Sequence, residues 1–344
     1  MSFVLHVDAA RWRAAQDAAA ARYPGVVPVV KGNGYGFGRD LLCAEAGRLG
    51  ASTVAVGLYA ELGPALDAFA GDVLVMEPFR ARVHDDLARL DARQQADAGR
   101  GVHTVTSAVD LEALREVAPR ARVVVEALTS MNRFGAPVAE VADLAHRADA
   151  EGVTLHLPLG TGHVEEISRF VDAAPDVRRW YVSHTSPGEL AELARRHPGR
   201  ELLPRVGTSL WLADPAAHEV RAHVLDVRPV GKGEHAGYRQ RPLAPGHVVV
   251  VSGGTSHGVA MESPASAATP RARAVAVVEG LLEAAHRVTS PFTVGGRRVR
   301  FAEPPHMQCS LLSLPAGGAV PSVGDTVPVR MRLTTAYPDA VELH

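Results

Sequence analysis

Residues 26–38, VVPVVKGNGYGFG, decide how this chain is read. A β-branched run ends in one lysine, Lys31, and four glycines, an asparagine and Tyr35 follow it. Such a run suits a short strand buried on both faces. The glycines open backbone conformations closed to other residues and let a flat ligand come near. Two readings of Lys31 stand. Strand-end lysines commonly lay their stem on apolar surface and keep the charge in water. In apolar surroundings the ammonium instead gives up its proton more readily, and the neutral amine attacks aldehydes. Tyr35 adds a hydroxyl able to donate to a phosphate.

Outward from this stretch the same texture repeats. Apolar runs at VVPVVK, TVAV, DVLVM, VHTVT, ARVVVEAL, VTLHLPL, RWYVSH and ELLPRVG alternate with Ala/Leu/Arg-rich segments such as VDLEALREVA and PGELAELARRH. Eight strand–helix units within about residues 26–207 predict a (β/α)8 barrel, with a doubly wound open sheet as the alternative. In a barrel, Lys31 stands at the strand end that faces the active site. After about residue 222, HVLDVRPV, HVVVVSGG, FTVGGRRVRFA and DTVPVRMRLTT predict a mostly β domain, joined by FVLHV from the N-terminus. The expected domains are 8–221 and 222–344 with strand 1–7. A helix at RARAVAVVEGLLEAAHRV and a loop at ESPASAATPRA complete the reading.

The 344 residues carry a formal net charge of −2, with 47% hydrophobic and 22% charged residues, which fits a soluble enzyme and gives no polyanion-binding stripe. Two cysteines, Cys43 and Cys309, are too few for a disulfide framework and favour a reducing compartment. With no signal-like opening and no membrane-length apolar run, a cytoplasmic location is expected, with neither a membrane nor a nucleic acid as partner.

The lysine stretch resembles the pyridoxal-phosphate lysine motif of the alanine racemase family, the fold-type III enzymes. Further matches follow in order: LHVDAARWRAAQDAA, EALTSMNRFG, LHLP, VSHTSPGEL, LLPRVGTSLW and KGEHAGYRQR. The resemblance implies pyridoxal 5'-phosphate as cofactor, with Lys31 forming the internal aldimine. It implies a phosphate held by Tyr35, Ser186, Gly207 and Thr208, a cofactor ring packed on His156, and Arg205 facing the pyridine nitrogen. Arg133 becomes the substrate-side arginine. Without the resemblance, His156 reads equally as a core histidine and Arg133 as a surface ion-pairing residue. Because a guanidinium only donates, Arg205 favours proton traffic at Cα over decarboxylation. A homodimer with shared active sites and a small amino acid as substrate are likewise implied. Phe134 and Trp211 read as pocket or core residues.

Two segments depart from the family. Where it has a second-base tyrosine, VVSGGTSHGVAM places Thr255, and His257 takes the position of the acidic residue. His257 is the candidate second base; the bland reading is a Gly-rich turn. In PPHMQCSLLSLP, His306 and Met307 fall where the family has residues reaching the partner's site. His306 and Cys309 also form a possible metal pair, but two ligands do not make a zinc site, and no metal is expected. Three functions follow: an amino-acid racemase or epimerase, preferred; a D-amino-acid dehydratase or aldolase; and a non-catalytic pyridoxal-phosphate protein.

Overall fold

The computed structural model describes residues 2–84, 97–261 and 289–344. By internal contacts the chain divides into two units, Arg13–Ala213 and Met1–Trp12 with Asp214–His344. The expected borders lie a few residues away, because the long strand after the barrel starts at His218 and pairs with the N-terminal strand β1 (Phe3–Val7).

The larger unit contains β2 (Val27–Pro28), β3 (Thr53–Val56), β4 (Asp72–Pro78), β5 (Gly101–Val105), β6 (Arg122–Ala127), β7 (Gly152–Leu155), β8 (Arg179–Ser183) and β9 (Glu201–Val206). From β3 to β9 each strand pairs in parallel with the next, and β2 pairs with β9. A bridge between Val29 and Ala55, with the Val30 N–H donating to the Ala55 carbonyl at 2.7 Å, joins β2 to β3. The ring is a parallel barrel, and the open-sheet alternative falls because the strand order contains no reversal. Val27, Val29, Ala55, Leu74, Met76, Val102, Val124 and Tyr181 pack together as its filling.

Local chemistry starts and faces the helices between strands. The Ser107 hydroxyl accepts the Asp110 N–H at 3.2 Å and begins the helix Ala108–Val117. In the helix Val138–Ala148 the buried residues Val141, Leu144, Ala145 and Ala148 recur at three- and four-residue spacing, which turns one stripe inward.

The smaller unit is mostly antiparallel. Its strands include β10 (His218–Val230), the short pair β11 (His235–Ala236) and β12 (Arg241–Pro242), β13 (Gly246–Ser252), β14 (Thr289–Val294), β15 (Arg297–Phe301), β16 (Cys309–Pro315), β17 (Thr326–Val329) and β18 (Ala340–Leu343). The first half of β10 pairs with β1 and β17 and the second half with β13, with a register shift between Val224 and Asp226. That irregularity lets one strand serve two directions of the sheet. Strands β13, β16, β15, β14, β17 and β10 thereby form a closed circuit, and β1 carries β18 at its free side. The expected strand DTVPVRMRLTT stops at Val329 and gives way to a short turn at Leu333–Thr335. The parallel edge strand β18 was not anticipated. The expected helix at 271–288 and loop at 262–272 lie outside the described residues. Among the described residues no helix is long and apolar enough to cross a membrane.

Candidate functional site

The C-terminal ends of the barrel strands gather several perturbed titratable groups, among them Lys31, Glu126, His156 and Arg205. Lys31 follows the β2 end and is exposed at the mouth. Its ammonium is nonetheless held below the ordinary lysine range, first by the protein bulk that excludes water around it, then by Arg133 and Arg205; Glu61 opposes the shift. The sequence has only one other lysine, Lys232, which is exposed in the other unit. Glu61 positions the lysine loop. Its buried carboxylate accepts the Gly32 N–H at 2.7 Å on one oxygen and the Gly57 N–H at 2.7 Å on the other, so it ties the loop after β2 to the end of β3.

Tyr35 is buried with φ 54°, a left-handed conformation uncommon outside glycine. Burial, then Glu61, pushes its phenol up to about 12, so it stays a donor. Gly207 faces it: a Cβ there would sit 2.0 Å from the Tyr35 hydroxyl. Only glycine fits this contact, which lies just before the single turn Thr208–Trp211. The Trp211 indole N–H donates to the Val29 carbonyl at 2.8 Å and locks that turn to the lysine strand, so Trp211 is a core residue. Thr208 is exposed at the start of the turn.

Arg205, from β9, is buried and donates through Nη2 to the Leu155 carbonyl at 3.1 Å, while its Nε has no partner. Desolvation lowers its pKa, with Glu126 opposing. His156 lies just past β7, its Nδ1 buried without a hydrogen bond. Burial, then Arg205, Arg133, His184 and Lys31, pushes this imidazole down to about 3, so the ring is neutral. The His184 ring meets it edge-on at 5.5 Å. Arg133 is exposed on the loop after β6, its guanidinium 4.5 Å over the Phe134 ring. These shared electrostatic influences bring Lys31, Arg133, His156 and Arg205 into one cationic neighbourhood, suited to a phosphate or carboxylate.

Ser186 has a second duty. It caps the helix Pro187–Arg196, accepting the Glu189 N–H at 3.3 Å and donating to the Glu189 carboxylate at 2.8 Å. Its neighbour Thr185 is buried with an unpartnered hydroxyl.

The sequence reading missed Glu61 and Glu126. Glu126 is fully enclosed on β6, with Oε2 unpartnered. Burial pushes its carboxyl up to about 7, against the pull of Arg205, Thr154 and Arg133. Thr154, its register neighbour on β7, is near enough to favour the charge but makes no hydrogen bond with it. A glutamate directly after the three valines of VVVEA was the available signal, since strands buried on both faces rarely hold a charge without purpose.

His257, His306 and Met307 belong to the other unit. The His257 Nδ1 accepts the Gly254 N–H at 3.2 Å, and Nε2 donates to the Asp339 carboxylate at 3.1 Å. Asp339 in turn accepts the Ser2 and Phe3 N–H groups. With both nitrogens hydrogen-bonded, His257 clasps the 254–258 turn to the terminal segments. His306 hydrogen-bonds through Nε2 to the buried Glu303, lies tilted at 42° against the exposed Tyr238 ring with centroids 4.5 Å apart, and turns Nδ1 toward the Cys309 sulfur at 3.9 Å. Among the described residues no third metal-ligating group joins His306 and Cys309. Met307 is 71% exposed beside them.

A cavity of about 730 Å³ opens at the opposite rim of the barrel, lined by Asp17, Arg48, Asp72, Arg179 and Glu201. Those charges already pair, Arg179 with Glu201 and Arg48 with Asp17, each at 2.7 Å. That rim reads as stabilising, since its charges are spent on one another.

Comparison with known proteins agrees with this division. The family model for the alanine racemase N-terminal domain matches residues 7–215. Among solved structures, the alanine racemase from Bartonella henselae with covalently bound pyridoxal phosphate aligns over 100% of both chains at 16% identity, with a TM-score of 0.70. The alanine racemase from E. faecalis aligns over 100% of this chain and 98% of its own at 19% identity and a TM-score of 0.69. The biosynthetic alanine racemase from Pseudomonas aeruginosa covers 100% and 99% at 18% identity and 0.65. No curated protein matches the sequence. With more than half of the chain matched by its model, this chain belongs to the alanine racemase family.

Proposed function

We propose that this protein is a pyridoxal-phosphate-dependent racemase or epimerase of amino acids, working as a homodimer. One observation carries the reading. The only lysine of the barrel unit stands, with its pKa lowered, at the same strand ends as buried polar atoms that lack partners: Arg205 Nε, His156 Nδ1 and Thr185 Oγ1. Buried polar groups without partners are uncommon, and a cluster of them at a barrel mouth fits a polar, anionic ligand. Glycine at 207 lets the Tyr35 hydroxyl lie against the backbone at the start of the Thr208–Trp211 turn.

Pyridoxal phosphate, when bound, supplies an electron sink that acidifies the Cα–H of an attached amino acid. Tyr35, Ser186 and the backbone at Gly207 and Thr208 would hold its phosphate, His156 would pack on its ring, and Arg205 would face its pyridine nitrogen. Lys31 would bind the aldehyde and then, as a neutral amine, take or return the Cα proton on one face. Arg205 donates at every working pH and takes no proton from the ring. Arg133 would hold the substrate carboxylate.

The second proton carrier cannot be the threonine at position 255, whose hydroxyl is far too weak an acid. His257 is committed to Gly254 and Asp339. We assign the role to His306 of the partner chain. It is a partly exposed imidazole backed by a buried carboxylate, the arrangement that orients a general acid–base. The dehydratase or aldolase reading loses support, since the His306–Cys309 pair has no third ligand among the described residues.

Incubating the pyridoxal-phosphate-loaded protein with L- and D-amino acids in heavy water tests the proposal. Exchange of the Cα hydrogen with inversion is expected. Exchange without inversion would leave a one-base enzyme, and neither would leave a cofactor-binding protein without turnover.

A further inference from the structure

We propose that His6, Glu342 and His344 form a binding site for one divalent transition-metal ion of the zinc class. The site lies in the smaller unit and does not depend on the function proposed above. Strands β1 and β18 run parallel with His6 beside Glu342, and the period of a strand puts His344 on the same face as Glu342. The backbone holds His344 there: its N–H donates to the Val7 carbonyl and its carbonyl accepts the Ala9 N–H, both at 2.9 Å.

The three donor atoms form a compact triangle. His6 Nδ1 is 3.0 Å from His344 Nε2 and 3.4 Å from Glu342 Oε2, and the last two are 3.8 Å apart. A tetrahedral ion that binds nitrogen and oxygen at about 2.0–2.1 Å separates its ligands by about 3.4 Å, so these atoms stand close to three corners of such a tetrahedron. The two imidazoles are nearly parallel, at 19°. Two neutral imidazoles and one carboxylate make a donor set typical of zinc with an open fourth position. Glu219 lies next to His6 across the β1–β10 pair, but its carboxylate is held by Arg221 at 2.6 Å. Water or an outside ligand therefore completes the shell. All three side chains are partly or largely exposed, which gives an ion a way in.

The ion would pin an edge. Among the described strands β18 pairs only with β1. A metal bridge between residues more than 330 positions apart would join the two ends of the sequence and favour the folded chain.

The test is calorimetric titration of Zn²⁺ into the untagged, chelator-stripped full-length protein at neutral pH, together with the thermal midpoint. One ion per chain is expected, with a raised midpoint that a chelator reverses. His344→Ala should weaken binding at least about 100-fold and Glu342→Gln about 10-fold, while His146→Ala, an exposed histidine on a barrel helix, should leave affinity unchanged. No saturable binding, or equal affinity in wild type, His344→Ala and Glu342→Gln, would overturn the assignment.

Discussion

The mouth of the barrel and the 254–258 and 303–309 loops of the other unit follow opposite rules. At the mouth, Arg205 Nε, His156 Nδ1, Thr185 Oγ1 and Glu126 Oε2 are buried without partners. In the loops, both nitrogens of His257 are taken, and Glu303 accepts from His306 and from the Tyr238 N–H. An unpartnered buried polar group costs about 1–3 kcal/mol. Several at one strand end are tolerated when something outside the chain satisfies them. Saturated polar groups, by contrast, hold the fold together; of the two loop imidazoles, His306 alone turns one nitrogen to a weak partner, the Cys309 sulfur at 3.9 Å. The state of satisfaction separates the two better than residue type does.

Removal of the amine is the strongest challenge to this contrast. Lys31→Ala should lower turnover by about 10⁴-fold or more in steady-state assays while the thermal midpoint stays near wild type, because the side chain is exposed. A variant with retained turnover breaks the assignment.

Glu126 tests whether the mouth contains a tuned charge. Measured above about pH 7, where its carboxyl is ionised, Glu126→Leu removes the buried counter-charge to Arg205 and should cost about 3 kcal/mol in urea unfolding. The pH profile is more specific. With its carboxyl pushed up to about 7, Glu126 keeps its proton in the folded chain while the unfolded chain loses it near about 4.3. The folded state binds more protons in that window, so this group makes stability fall as pH rises from about 4.5 to 7. His156, pushed down to about 3, acts in reverse: the unfolded chain takes up the proton below about 6.5, and stability falls as pH falls. The stability of wild type minus that of Glu126→Gln isolates the first effect and should decline across the window. A flat difference would mean the carboxyl is unperturbed.

His306 and His257 sharpen the comparison within one unit. His306→Gln should lower racemisation by about 10²-fold with little change in stability. His257→Ala should do the reverse, costing about 1–3 kcal/mol through the lost Asp339 contact with turnover nearly intact. If the effects were exchanged, His257 would regain the catalytic role.

The barrel was legible because each strand is a short β-branched run and each helix shows a stripe of buried residues, so local pattern and global fold agree. Lys31, Arg205 and His156 were legible because each stands at or next to the end of such a run. Glu61 and Glu126 escaped since their roles come from partners in other strands, Gly32 and Arg205, which no local window contains. The contact between His257 and Asp339 escaped for the same reason: the two lie 82 residues apart. The edge strand β18 is four residues long with no alternation to mark it, and β1 alone gives it a place.

The central claim is that Lys31 is the amine that takes the cofactor aldehyde. The chain's two lysines make a direct measurement possible: treat the protein with pyridoxal phosphate, reduce with borohydride, and map the modified peptides by mass spectrometry. The label is expected on the peptide containing Lys31 and not on that containing Lys232. Labelling of Lys232 to the same extent, or of neither lysine, would contradict the account.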